Sequence, residues 1–190
     1  MSKDLMFRDE IEALVADSYS ALESPDGPAL VFYSEDQLEG LPNGAQSWAL
    51  GLGNPLKHAG LQPGETVVDL GSGSGIDVLI AARQVGPSGR AIGVDMLPEM
   101  IERAEKNAVE AGIDNVEFLL GQMDDVPMPD DSVDVVISNG SINLAARKSR
   151  VFAEAKRILV PGGRLCVADL TVDESELPTE ILTHPSAWAG

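Results

Sequence analysis

The stretch VVDLGSGSGID, residues 67–77, decides the fold of this chain. It begins as a short apolar run, typical of a buried strand, and continues through Gly71, Gly73 and Gly75 into a run with helical spacing. Glycines let the backbone turn tightly with a positive φ and let a ligand approach without a Cβ in the way. The stretch therefore predicts a strand, a glycine-rich turn beside a ligand, and a helix.

The rest of the chain on the C-terminal side repeats this alternation of short β-type runs and longer helical runs. Such alternation is the pattern of βαβ units with a parallel sheet, so the predicted fold class is α/β. Gly86, Gly112 and a turn at 161–163 are expected to end or separate the elements. The predicted strands are 66–70, 90–94, 116–120, 133–138 and 164–168, and the predicted helices are 75–85, 98–111 and 149–159.

The N-terminal part of the chain has a different pattern. Apolar residues at the spacing of an amphipathic helix occupy residues 5–22, and a proline- and glycine-containing cluster follows at 25–28. Ser34 is an N-cap candidate for a second, short helix. We therefore predict a helical appendage over residues 1–45 and the α/β domain over residues 46–190.

The composition limits the partners that the chain can take. Its 190 residues include 31 acidic and 13 basic side chains, which gives a formal net charge of −18. Such a field repels nucleic-acid phosphates and anionic lipids, so neither nucleic acid nor a membrane is expected as a partner. The same balance is typical of a surface adapted to high salt, so the charge alone does not identify a function.

Cysteine is nearly absent. Cys166 is the only one, so no intramolecular disulfide and no multi-cysteine metal site can form within the chain, and no metal site is predicted. Neither an apolar signal region nor a run long enough to span a membrane occurs, and we expect a cytoplasmic protein.

Two acidic residues follow the first two predicted strands. Asp69 directly precedes the glycine turn, and Asp95 ends the next strand, 20 residues beyond Gly75. Ligands of open α/β sheets bind outside the carboxyl ends of the strands, where both acids would lie. A nicotinamide dinucleotide would place its pyrophosphate against Asp69, whereas S-adenosylmethionine has no phosphate and presents a cationic amino group and a sulfonium. The pair therefore favours S-adenosylmethionine; the alternative is that both acids only cap turns.

Four segments, in order and spacing, resemble the motifs of class I S-adenosylmethionine-dependent methyltransferases. They are VVDLGSGSG at 67–75, GVDMLPEM at 93–100, DDSVDVVISN at 130–139 and RILVPGGRL at 157–165. More narrowly, the segments at 40–65, 136–144 and 177–190 resemble the arsenite methyltransferase branch. The resemblance implies a Rossmann-like, doubly wound methyltransferase domain over 46–190 that acts on a small molecule.

The resemblance also implies a role for each cofactor-binding residue. The methionine end would be held by Asp69 and the glycine turn, the ribose by Asp95, the adenine by the segments after the second and third strands, and Asn139 would border the methyl-transfer space. Alternatively, Met96 and Met123 fill gaps in the core, and Asn139 forms a turn. The full predicted set is Asp69, Gly71, Ser72, Gly73, Gly75, Asp95, Met96, Gln122, Met123, Asp124 and Asn139.

The sequence departs from the arsenite branch in two respects. Leu52 and Gly140 stand where the resemblance leads one to expect arsenic-binding cysteines, so weak or absent turnover of arsenite is expected. The predicted function is methyl transfer to a small molecule by an arsenite methyltransferase-like enzyme. The alternatives are a methyltransferase for an organic acceptor, or a truncated chain that binds the cofactor without activity. The resemblance further implies a seven-stranded sheet, but only five strands are predicted. We therefore expect a fold truncated after the fifth strand. No catalytic acid or base is predicted.

Overall fold

A computed structural model describes residues 8–22 and 25–171 of the chain. The strands are β1 (Thr66–Leu70), β2 (Arg90–Asp95), β3 (Val116–Leu120), β4 (Val133–Asn139) and β5 (Leu159–Ala168). The helices are α1 (Arg8–Ser20), α2 (Glu35–Leu38), α3 (Asn43–Ser47), α4 (Leu56–Ala59), α5 (Ile76–Val85), α6 (Pro98–Ala111) and α7 (Lys148–Ile158). Two 3-10 helices, Pro28–Phe32 and Ile142–Leu144, complete the secondary structure of these residues.

The strands form one parallel sheet in the order β3-β2-β1-β4-β5. From the central strand β1 the chain first builds outward through β2 and β3, and then returns to the other side for β4 and β5. The direction of winding therefore reverses between β1 and β4, which is where ligands of doubly wound sheets bind. This topology confirms the predicted α/β, Rossmann-like fold class.

Both faces of the sheet are covered, which is why the strand residues are apolar on both sides. One face packs against α5 and against the segment before β1, and its buried residues include Val67 and Leu79. The other face packs against α7 through residues such as Val68 and Val151. Ala29 and Leu41 belong to the first cluster, so the segment before residue 46 contributes to the core of the sheet. The division of the chain at residue 45 stays a prediction.

The sequence located most elements closely. The bounds of β1, β3 and α6 are those predicted, and β2 and β4 are each one residue longer at the C-terminal end. Ser34 lies at the N-cap of α2, where its backbone N–H donates to the Gln37 side-chain oxygen at 3.1 Å. None of the described helices is both long and apolar enough to cross a membrane. The predicted arsenite-branch segment at 177–190 lies outside the described residues.

The predicted turn at 161–163 is wrong. The chain is already in β5 at Leu159, which pairs with Val133, and the next pair is Arg164 with Val135. Four residues of β5 therefore face one residue of β4, and the ladder bulges without ending. Gly162 permits this with a φ of 87°, and Gly163 permits it because a Cβ there would lie 3.0 Å from the Asp134 carbonyl oxygen.

Candidate functional site

A cavity opens at the carboxyl ends of β1, β2 and β4, at the point where the sheet reverses its winding. It encloses about 1190 Å³ of empty space, including its mouth, which is open to solvent. Helix α1 contributes Glu12, Val15 and Tyr19 to its wall. Ten of the predicted site residues line it: Asp69, Gly71, Ser72, Gly73, Asp95, Met96, Gln122, Met123, Asp124 and Asn139.

The glycine turn forms the floor of this cavity. Gly71 has a φ of 77° and donates its N–H to the Val94 carbonyl at 2.8 Å, and a Cβ on it would lie 2.4 Å from Ser141. Gly73 has a φ of 50°. Gly75, the eleventh predicted residue, is not among the residues that line the cavity. It is the N-cap of α5 with a φ of 88°, and a Cβ on it would lie 3.1 Å from Ala104 and from Phe118. Its absent side chain therefore serves the packing of α5.

Asp69 is a buried carboxylate that lacks a partner. Its side chain is 3% exposed, and its Oδ1 has no hydrogen-bond partner among the described residues, as is also true of the Ser72 Oγ. Burial, with Asp77 and Asp95 nearby, raises the pKa of Asp69 well above its usual value. A buried polar atom without a partner costs free energy, so these atoms are suited to a ligand that brings a positive charge and hydrogen-bonding groups.

Asp95 at the end of β2 connects the glycine turn to α6. Its Oδ2 accepts the Gly73 N–H at 2.8 Å, and its Oδ1 accepts the Leu97 N–H at 3.0 Å. Burial raises its pKa, and these backbone hydrogen bonds partly oppose that shift. Each carboxylate oxygen retains a second lone pair, so Asp95 can also accept hydrogen bonds from a ligand's hydroxyl groups.

The predicted adenine end lies at the opposite side of the cavity from Asn139 along the strand ends. The Gln122 amide donates to Glu12 of α1 at 3.0 Å, and Asp124 pairs with Arg147 at 3.0 Å. Met96 packs with the cluster around Trp48, and Met123 packs against the core on the α7 face. Because both methionines line the cavity and also pack in these clusters, their contact with a cofactor stays a prediction.

Tyr33 and Asp77 are polar residues of the site that lie outside the predicted set. Both line the cavity, both are buried, and the Tyr33 hydroxyl donates to the two Asp77 carboxylate oxygens at 3.0 Å each. Burial raises the pKa of Asp77 to about 6, although hydrogen bonds from Asn139 and Tyr33 lower it in part. Asp77 follows Gly75 by two residues and could have been included with the glycine turn. Nothing in the sequence pairs it with Tyr33, which is 44 residues away.

The two positions where cysteines were expected are neighbours. A Cβ built on Gly140 would lie 3.3 Å from the Cγ of Leu52, and Gly140 lines the cavity next to Asn139. Cys166 lies elsewhere, in a separate surface pocket that also includes His58, and its thiol donates to the Pro55 carbonyl at 3.1 Å. Burial raises the pKa of this thiol, as expected of a structural cysteine. No metal-binding cluster of His, Cys, Asp or Glu occurs in residues 8–22 and 25–171.

The family of the chain follows from a comparison with known proteins. A family described as a methyltransferase domain matches residues 61–189. The chain belongs to this methyltransferase family. An arsenite methyltransferase of Halobacterium salinarum is 46% identical over 158 residues, which is 83% of this chain and 40% of that protein. This chain therefore spans less than half the length of that relative.

Solved structures agree with this assignment. An arsenic(III) S-adenosylmethionine methyltransferase from Chlamydomonas reinhardtii is 37% identical with a TM-score of 0.72, over 80% of this chain and 53% of that one. A geranyl diphosphate methyltransferase in complex with S-adenosylmethionine is 32% identical with a TM-score of 0.52, over 59% of this chain and 45% of that one. The methyltransferase resemblance is confirmed, and S-adenosylmethionine is the cofactor of this domain.

The cavity fits that cofactor. Asp69 offers an unpartnered carboxylate oxygen for a cationic amino group, and the methyltransferase glycine turn leaves room for the main chain of a methionine moiety. A pyrophosphate would instead meet three carboxylates, the buried ones of Asp69 and Asp77 and the half-buried one of Asp95.

Proposed function

We propose that this domain transfers the methyl group of S-adenosylmethionine to a small molecule bound at the Asn139 and Gly140 end of the cavity. The observation that carries the proposal is the Asp69 carboxylate, which is buried beside the glycine turn with one oxygen that has no hydrogen-bond partner in the part of the chain that the structure describes. Asp69 and the glycine turn bind the methionine end, Asp95 binds the ribose, and residues 122–124 face the adenine. Both acids lie at strand ends of the same sheet, which supports this order.

Bound S-adenosylmethionine would supply a methyl group on a sulfonium: a lone pair of the acceptor bonds to the methyl carbon in line with the carbon–sulfur bond, which breaks and releases the neutral thioether S-adenosylhomocysteine. The chain contributes by aligning the acceptor and by excluding water, since such a displacement needs no acid or base when the acceptor carries a free lone pair. The cavity walls serve this purpose: Val15, Trp48 and Leu97 are nearly buried apolar residues around it.

The acceptor is the part of the function on which the relatives and the site differ. The relatives at 46% and 37% identity are arsenite methyltransferases, which favours arsenite. The contact between Leu52 and Gly140 instead favours an organic acceptor, because neither residue offers the soft thiolate that trivalent arsenic requires. We therefore propose an organic small molecule as acceptor. A chain that binds the cofactor without transferring its methyl group is the second candidate.

Methyl transfer from labelled cofactor tests the proposal. Arsenite, 2-mercaptoethanol, a phenol and a primary amine would each be offered to the protein, and binding of S-adenosylhomocysteine would be measured by calorimetry. We expect binding of S-adenosylhomocysteine, and turnover of an organic probe that exceeds the turnover of arsenite.

Rapid formation of methylarsenite would contradict the organic acceptor. Binding of S-adenosylhomocysteine with no turnover of any probe would instead support the second candidate. NAD is the control ligand for the cofactor, since the buried carboxylates should exclude its pyrophosphate.

A further inference from the structure

Three polar side chains from distant parts of the chain meet at the acceptor end of the cavity. They are Tyr33, which precedes α2, Asp77 in the first turn of α5, and Asn139 at the end of β4. The Asn139 amide nitrogen lies 3.0 Å from the Tyr33 hydroxyl and 3.0 Å from the Asp77 Oδ2. With the two bonds from Tyr33 to Asp77, these contacts close a three-membered network, which we call the Tyr33–Asp77–Asn139 network.

The network holds a segment of backbone through Asn139. The Asn139 Oδ1 accepts the N–H groups of Leu52 at 2.8 Å and Gly53 at 3.1 Å, and its Nδ2 donates to the Gly53 carbonyl at 2.9 Å. The fit is close, since a Cβ on Gly51 would lie 2.3 Å from the Asn139 Nδ2. The Asn139 amide oxygen thus accepts two backbone hydrogen bonds, and the amide nitrogen lies within hydrogen-bond distance of three protein acceptors.

The burial of Tyr33 and Asp77 makes the hydrogen bonds of the network costly to break. Tyr33 is 8% exposed and Asp77 is 4% exposed, so each lies where a lost hydrogen bond is not replaced by one to water. The partners of the Asp77 carboxylate are the Tyr33 hydroxyl and the Asn139 amide, which compensate for its burial. A geometry that satisfies all three groups also fixes where the 51–53 segment lies relative to the cavity.

We propose that Tyr33, Asp77 and Asn139 are positioning residues that fix the 51–53 segment as the wall against which the acceptor lies. The inference rests on the proposed function, because it concerns the acceptor of that same methyl transfer. Gly51 and Gly140 line the cavity together with Asn139, and a Cβ on Gly140 would lie 3.3 Å from the Leu52 Cγ. The network therefore acts on the alignment of the acceptor with the methyl group, and Asn139 is assigned to this task in place of a direct cofactor contact.

Two measurements on Asn139→Ala test the inference. The first is amide hydrogen exchange by NMR, in which we expect the Leu52 and Gly53 amides to exchange at least tenfold faster than in the wild type, while those of β1 are unchanged. The second is steady-state kinetics with the organic probe that is turned over fastest. We expect kcat/KM for that probe to fall about 100-fold, since a displacement of about 1 Å is enough for such a loss, while the Kd for S-adenosylhomocysteine changes less than threefold.

Variants that keep the shape of the network distinguish positioning from a loss of folding. Asn139→Asp places two carboxylates side by side and should lower kcat/KM, and adding Asp77→Asn restores one donor and one acceptor and should recover most of it. Tyr33→Phe should give an intermediate loss. Its matched control is Tyr19→Phe, since Tyr19 also lines the cavity but is not among the described hydrogen-bond partners of the Asn139 side chain. In this control the Leu52 and Gly53 amides should exchange as in the wild type.

Two results would overturn the inference. One is a parallel loss of S-adenosylhomocysteine affinity and of kcat/KM in Asn139→Ala, which would make Asn139 a cofactor contact. The other is unchanged Leu52 and Gly53 exchange in that variant. If the wild type binds S-adenosylhomocysteine but methylates no probe, the proposed acceptor chemistry is wrong. The exchange and affinity measurements then still decide whether the network holds the 51–53 segment independently of the cofactor.

Discussion

In the proposed site, Asp69 would stabilise a bound cofactor at the expense of the stability of the ligand-free protein. Its carboxylate is buried and has an oxygen without a partner among the described residues, and Asp77 and Asp95 add like charges nearby. Folding therefore raises the pKa of Asp69, and the group favours the folded state in its protonated form. That contribution is present at low pH and is lost as the pH rises through the raised pKa. A cationic ligand reverses the balance because it favours the charged form.

The substitution Asp69→Asn tests whether this carboxylate lowers the stability of the ligand-free protein and raises its affinity for the cofactor. We expect the ligand-free variant to melt a few degrees above the wild type at pH 8. The difference should shrink as the pH falls and the wild-type carboxylate takes up a proton. About 1 kcal/mol corresponds to roughly 2–4 °C for a chain of this size. The affinity for S-adenosylmethionine should fall at least tenfold. Calorimetry and thermal unfolding measure both effects.

Asp114→Asn is the matched control, since Asp114 is exposed and far along the chain from the glycine turn. It should change neither quantity. Tighter cofactor binding by Asp69→Asn would contradict the role of the carboxylate in binding. A lower melting temperature of the variant at pH 8 would show that burying this carboxylate does not reduce the stability of the folded chain.

The predicted residues of the glycine turn and the Tyr33–Asp77 pair differ in how local their sequence signals are. Asp69, Gly71 and Gly73 lie in one short stretch whose spacing carries its own meaning, and all of them line the cavity. Tyr33 and Asp77 meet only because the segment before β1 packs on α5, which no local pattern encodes.

At the scale of elements, β5 is where the sequence pattern predicts a different structure from the one observed. Proline and two glycines at 161–163 predict a turn because each favours one, yet the chain stays paired with β4 on either side of them. Backbone pairing with β4 keeps these residues in the strand, and the local preference of proline and glycine for a turn produces a bulge in that strand. By contrast, α6 has the predicted bounds because Pro98 in the first turn and Gly112 after the last define a helix locally.

Gly162→Ala measures the cost of that bulge. Gly162 has a φ of 87° and no heavy atom of the described residues lies within 4 Å of a Cβ placed on it, so the expected loss is conformational and not steric. We expect a destabilisation of about 1–2 kcal/mol in urea unfolding, with unchanged affinity for S-adenosylhomocysteine. Gly162→Asn is the control, because asparagine tolerates positive φ better than alanine and should lose less. Equal losses for both variants would mean that backbone conformation is not the cause.

At the scale of the whole molecule, the net charge of −18 implies repulsion between parts of the folded chain. Added salt screens this repulsion, since the Debye length falls from about 10 Å at 0.1 M to about 3 Å at 1 M. We expect the melting temperature to rise between 0.05 and 1 M NaCl. Neutralising two exposed acids, in Glu105→Gln with Asp26→Asn, should raise it at low salt and reduce the response to salt.

Glu154→Gln is the control for charge removal. Glu154 accepts from Arg157 at 2.8 Å and from the Val126 N–H at 3.0 Å, so the same change of charge should destabilise the protein at every salt concentration. Uniform stabilisation by all three substitutions would show that net charge outweighs local pairing, and a flat response of the wild type to salt would contradict the repulsion.

The position of Trp48 has a practical consequence. This indole is 9% exposed, lines the cavity, and has the Arg103 guanidinium 4.1 Å from its ring centre. A ligand that enters the cavity changes the surroundings of the ring, and hence the wavelength and intensity of its fluorescence. The chain contains one other tryptophan, Trp188, so a Trp188→Phe protein would emit from the cavity wall alone. The fluorescence of such a protein would show whether a ligand occupies the cavity. Unlabelled cofactors and acceptors could therefore be screened one after another by their effect on this fluorescence.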